Sequence, residues 1–170
     1  MGAAVGLPYT VGVDDIAYGL SLPEQAEIFE KYIAYERVSE TDRACFLDRS
    51  CPSHSCENDV HIDFGAGIES WNSFSQELRL VESEDWGELL VRRVLGPEEV
   101  EFSVDWLEVP QQYGFSFVFE VDGVATRVQS VWVEGRIVGA DVPETFALSL
   151  GIGGMQRSAE DLDAWLVENR

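Results

Sequence analysis

The chain has 170 residues, 45% of them hydrophobic and 11% aromatic, which is enough apolar mass for a buried core and excludes a disordered polymer. Its 32 acidic against 11 basic residues give a formal net charge of −21, and Lys31 is the sole lysine. Naked nucleic acid and anionic membrane surfaces both demand a basic face, and the nearest approach to one is Arg92-Arg93, so neither is expected as a partner.

Residues 1–20 form an apolar, glycine-rich N-terminal arm in which Leu7, Tyr9, Val11 and Val13 alternate as in a strand. The start has neither the basic region nor the apolar run of a signal peptide, so synthesis in the cytoplasm is expected. No apolar run approaches the length of a bilayer span. Ser21-Leu22-Pro23-Glu24 has the form of a capping box, and Leu22, Ala26, Phe29 and Ile33 follow at helical spacing. This predicts a helix over 22–38.

Periodicity stops over 40–61, which reads as a Cys/His-rich loop. Val60, Ile62 and Phe64 then alternate as a short strand, and Leu78 and Leu80 mark another. Residues 88–95 read as a strand closed by Gly96-Pro97. Over 99–109, Val100, Phe102, Val104 and Trp106 alternate with polar residues. Phe115, Phe117, Phe119 and Val121 occupy one face of a further strand and are expected to point into the core. Asp122-Gly123 signals a two-residue hairpin. Val124, Thr126 and Val128 give way to Val131 and Val133, and the slip predicts a bulge near Ser130. Phe146, Leu148 and Leu150 read as a last strand, Gly151-Ile152-Gly153-Gly154 as a flexible turn, and 159–169 as a C-terminal helix with Leu162, Trp165 and Leu166 buried. The chain therefore predicts one mainly β, α+β domain over 1–170: an antiparallel sandwich or small barrel of six to seven strands with a helix near each end.

All three cysteines and both histidines fall between positions 45 and 61, as Cys45, Cys51, His54, Cys56 and His61. Thiolates and imidazoles are the ligands of structural zinc, and a closed site needs four of them. The expected site uses Cys45, Cys51 and Cys56, with His61 preferred over His54 as the fourth ligand. It lacks the usual Cys-x-x-Cys knuckle. The alternatives are a disulfide, Cys45–Cys51 or Cys51–Cys56, free buried thiols, or a reactive pair of Cys51 or Cys56 with His54 or His61.

No other catalytic set emerges. The clustered carboxylates read as solvated faces, and no nucleophile elbow or phosphate loop is present. The acid-rich, lysine-poor composition resembles that of proteins from extreme halophiles, where molar salt screens self-repulsion. The composition, apolar arm and β-rich pattern lead to the expectation of a non-enzymatic, self-assembling homo-oligomeric subunit of a large particle. The specific expectation is a virion component from the tail or head–tail region of a tailed virus, with itself and neighbouring assembly proteins as partners. The alternatives are a cytoplasmic zinc-stabilised protein-binding or regulatory module and, behind it, a small thiol-dependent or hydrolytic enzyme.

Overall fold

Alternation at period two runs through most of the middle of the chain, and it is realised as one continuous antiparallel sheet. The computed structural model describes residues 2–139 and 144–170, the side chains at 144, 146, 147 and 150 excepted. In chain order the elements are β1 (Gly2–Pro8), α1 (Val13–Ser21), β2 (Tyr32–Glu40), α2 (Arg43–Leu47), β3 (Ser53–Gly65) and β4 (Ile68–Ser83). They continue with β5 (Gly87–Gly96), β6 (Glu101–Phe102), β7 (Leu107–Val121), β8 (Val124–Ile137) and α3 (Glu144–Asn169). The strand order is β1-β8-β7-β5-β4-β3-β2, with β6 paired to β4.

Local chemistry sets the turns and helix starts. Asp122 and Gly123 join β7 to β8 with φ of 52° and 79°, the left-handed pair that a tight hairpin requires. Asp14 and Asp15 lie in the first turn of α1, where the helix dipole favours negative charge. The side chain of Asp42 caps α2 by accepting from the Cys45 backbone N–H at 3.0 Å. Register shifts at Tyr32/Ala34 and Arg37/Ser39 in β2, Asp63/Gly65 in β3 and Glu108/Gln111 in β7 bend the long strands.

One face of the sheet meets the helices. Leu78, Leu90, Val118 and Ala125 pack with Ile16, Ala17 and Leu20 of α1 and with Ala159, Leu162 and Leu166 of α3 in a single core. Helix α3 joins it through Ala159, Leu162 and Leu166, and with the buried Met155 these form a stripe of helical period. Gly19 lets the two helices approach: a Cβ there would lie 2.8 Å from Leu162 Cδ1.

Several expectations are corrected. The class is mainly β with a C-terminal helix, as expected, but the strands form a single eight-stranded sheet and not a sandwich or barrel. The helix expected over 22–38 is absent. Ser21 ends α1, a single 3-10 turn occupies Gln25–Glu27, and Tyr32–Glu40 is a strand. The apparent helical spacing arose from residues that pack individually: Leu22, Ile28 and Phe29 are each buried in the core beneath the sheet. The region 40–61 carries α2 and the first part of β3, so little of it is loop. The C-terminal helix starts at Glu144, so the expected strand at 146–150 and turn at 151–154 are helical. No register shift occurs at Ser130. The Phe115, Phe117 and Phe119 row faces away from the core: Ser116 and Val118 between them are the buried residues, and Phe117 is exposed. Among the described residues no helix is long and apolar enough to cross a membrane.

Candidate ligand-binding site

The cysteines and histidines do not converge. Cys45 in α2 and Cys51 are joined by a disulfide with a Cα–Cα distance of 5.2 Å. Cys56 is a free thiol, buried on the inner face of β3, where Asn58 Nδ2 donates to its Sγ at 3.4 Å. Burial pushes this thiol above its ordinary range, so it stays protonated and is a poor nucleophile. His54 is fully buried on the same strand, 3.4 Å from Thr41 Oγ1 and 3.5 Å from Arg37 Nη1. His61 is on the opposite face, stacked on Trp71 with ring centroids 4.4 Å apart and 2.7 Å from Glu69 Oε2. Among the described residues no three His, Cys, Asp or Glu side chains are grouped as metal ligands. The metal-binding reading of Cys45, Cys51, Cys56, His61 and His54 is therefore corrected to a disulfide, a buried thiol and two separated histidines. Alternation explains the separation, since successive strand side chains point to opposite faces and β3 sends His54 and Cys56 inward but His61 outward.

A different set of residues converges on the inner face. A cavity of about 150 Å³ is lined by Tyr32 of β2, Val60 of β3, Asn72 and Phe74 of β4, Arg92 and Val94 of β5, Gly114 of β7, and Gln129 and Val131 of β8. Strand register brings Arg92 and Gln129 onto one face. Leu78 pairs with Arg92, Arg92 with Ser116, and Ser116 with Gln129, so one row crosses four strands. Gly114 pairs with Val94 and Val131 in the adjacent row.

The polar groups here are tied down on one side only. Arg92 Nε donates to Gln76 Oε1 at 2.7 Å. The Gln76 amide nitrogen donates in turn to the Leu20 carbonyl of α1 at 2.9 Å. Arg127, 1% exposed, lies one row deeper and donates to Tyr9 Oη at 3.2 Å and Ser116 Oγ at 3.4 Å. Neither guanidinium has a carboxylate at salt-bridge distance among the described residues, although Arg37, Arg49, Arg79, Arg93, Arg136 and Arg170 all do. Burial, reinforced by the nearby Arg127 charge, brings the Arg92 pKa down to about 10. Arg92 is thus still charged at neutral pH. Burial raises the phenols of Tyr32 and Tyr35, which stay neutral. The side-chain oxygens of Asn72 and Gln129 are buried with no hydrogen-bond partner among the described residues.

The polar residues of this cavity were not singled out from the sequence. A signal existed, because Leu90, Arg92 and Val94 share a strand face and so do Ala125, Arg127 and Gln129. Hydrophobic periodicity discounts a face that carries arginine and glutamine.

No protein-family model matches the chain, and no curated protein matches it. Solved structures do. A STAR-related lipid transfer protein fragment from Xanthomonas axonopodis superposes with a TM-score of 0.65 at 12% identity, covering 96% of this chain and 84% of that one. A START superfamily protein from Mycobacterium smegmatis gives a TM-score of 0.61 at 8% identity over 99% of each chain. The fold is that of the START proteins. A third likeness is the di-domain ARO/CYC protein BexL of the BE-7585A biosynthetic pathway, with a TM-score of 0.52 at 11% identity, covering 96% of this chain and 45% of that one. The expected virion tail or head–tail subunit is overturned, since the structures similar to this chain are START-fold proteins and not virion components. The zinc-stabilised module loses its motive with the dispersed ligands. The thiol enzyme loses Cys51 to the disulfide and has in Cys56 only a buried, protonated thiol. The START fold occurs in both a lipid transfer protein and an ARO/CYC protein, so the fold by itself assigns no reaction.

Proposed function

We propose that this protein binds a small organic molecule in the cavity on the inner face of its sheet. The observation that carries the reading is the pair of buried, unpartnered amide oxygens on Asn72 and Gln129, both residues of the cavity wall. A buried acceptor without a donor costs about 1–3 kcal/mol, which a ligand N–H or O–H recovers. Val60, Phe74, Val94 and Val131 supply apolar wall around them. A mainly apolar pocket with a few placed polar groups is the usual form of a small-molecule site. A volume of about 150 Å³ suits a ligand the size of one substituted ring.

Benzamide tests this directly, being ring-sized, uncharged and a donor. Millimolar benzamide is expected to raise the melting temperature of the wild-type protein and to leave that of a Val94→Trp variant, whose cavity is filled, unchanged. The reading fails if benzamide has no effect on the wild type, or if both proteins respond alike.

A further inference from the structure

The cavity wall carries a charge that the rest of the molecule leaves unanswered. The chain holds 32 acidic residues against 11 basic ones. Four arginines have no carboxylate at salt-bridge distance among the described residues: Arg157 is exposed and Arg43 lies over the Tyr18 ring, whereas Arg92 and Arg127 are together on the inner face of the sheet. Among the described residues Arg92 reaches only the neutral amide of Gln76, and Arg127 only hydroxyls. Burying a guanidinium without a counter-charge is costly, and removing its partner from a buried pair is among the most destabilising changes known. The arrangement is nevertheless held firmly: Gln76 is fixed by the Leu20 carbonyl, and Gln76 in turn fixes Arg92 through Nε. This single bond uses one of five guanidinium N–H donors and leaves the terminal nitrogens for a planar acceptor.

We infer that the occupant of the cavity is a ring-sized organic carboxylate that also bears a hydroxyl: the Arg92 guanidinium binds the acid group, and the hydroxyl donates to one of the unpartnered oxygens of Asn72 and Gln129. Arg127, one row deeper, adds positive potential behind it. The depressed pKa of Arg92 fits this assignment, because burial and Arg127 both disfavour its charge and a bound carboxylate relieves both. A carboxylate is chosen over a cationic or neutral head group because no acidic side chain is among the cavity-lining residues. The external field of a protein at −21 opposes entry of an anion, so binding is expected to tighten as salt screens that field.

The inference rests on the cavity-binding reading, and a comparison of 3-hydroxybenzoate with 3-hydroxybenzamide separates the two. These ligands have nearly the same shape, carry the same hydroxyl and differ in charge. In molar KCl at neutral pH, calorimetric titration of the full chain is expected to show the carboxylate binding at least about tenfold more tightly than the amide, the margin of a charge-assisted contact. Arg92→Met is expected to weaken the carboxylate at least about tenfold and so to abolish that preference, and its cooperative urea unfolding reports that the variant is folded. If the amide binds and the carboxylate binds no better, the charge assignment is overturned and the cavity reading stands. If neither binds, both fall. A preference for the carboxylate that survives in Arg92→Met overturns the assignment to Arg92.

Discussion

Arg92 of β5 and Gln76 of β4 meet through a 2.7 Å hydrogen bond from the guanidinium Nε to the amide oxygen. The same amide spans to α1 through its nitrogen at the Leu20 carbonyl. Gln76 therefore joins three elements and, 4% exposed, does so away from solvent. Replacing it by leucine leaves the buried Leu20 carbonyl and the half-buried Arg92 guanidinium without their partner. Gln76→Leu is expected to lose about 2–3 kcal/mol in urea unfolding. Gln76→Glu sets a carboxylate against Arg92 inside the protein, and is expected to erase the preference for the carboxylate ligand by answering the charge internally.

Glycines at two places in the helices are expected to respond in opposite directions. A Cβ at Gly19 would meet Leu162 Cδ1 at 2.8 Å and Leu166 Cδ2 at 3.2 Å, and both leucines are fully buried. Overpacking costs about 1–3 kcal/mol and outweighs the gain of about 1 kcal/mol in helix propensity. Gly19→Ala is therefore expected to lower stability. At Gly153 in α3 an added Cβ would meet nothing within 4 Å. Gly153→Ala is expected to raise stability by about 0.5–1 kcal/mol. Equilibrium denaturation of the two variants reads both signs.

The Cys45–Cys51 disulfide closes a short loop, the two residues being six apart in sequence. Loop-closure entropy for so short a ring gives about 2 kcal/mol. Denaturation with and without a phosphine reductant is expected to differ by that amount, and a Cys45→Ser/Cys51→Ser variant is expected to be insensitive to the reductant.

His54 gives the protein a stability that depends on pH. Burial, with the Arg37 charge next and Arg43 acting in the same sense, holds its imidazole below the ordinary pKa of 6.5, while Glu40 opposes them. The unfolded chain takes up a proton near pH 6.5 and the folded one only at lower pH. Between those values the unfolded state binds more protons, so stability rises with pH across that window. The contribution is complete above about pH 6.5 and is lost as pH falls below it. Urea midpoints measured from pH 5 to 7.5 are expected to rise, and His54→Leu is expected to flatten that part of the slope.

What the sequence determined by itself was local and periodic. Alternation marked the middle of the chain as antiparallel strand, Asp122-Gly123 named its hairpin, and the spacing of Leu162 and Leu166 marked the C-terminal helix. These follow from backbone sterics and from the solubility of one face against the other, which act over a few residues. The tertiary structure decided what lies where three or more elements meet. The row Leu78, Arg92, Ser116 and Gln129 comes from four strands, and no local pattern distinguishes an arginine turned into a cavity from one turned to water. Crowding in sequence misled in the same way: Cys45 to His61 span few residues, yet a strand sends neighbours to opposite faces, so His54 and His61 are parted by the sheet itself. The helix at 144–154, rich in glycine, owes its form to the buried stripe of Met155, Ala159, Leu162 and Leu166 that continues it. Burial against a distant partner outweighed local preference there, because the free energy of packing α3 on the core exceeds the helix propensity lost at each glycine.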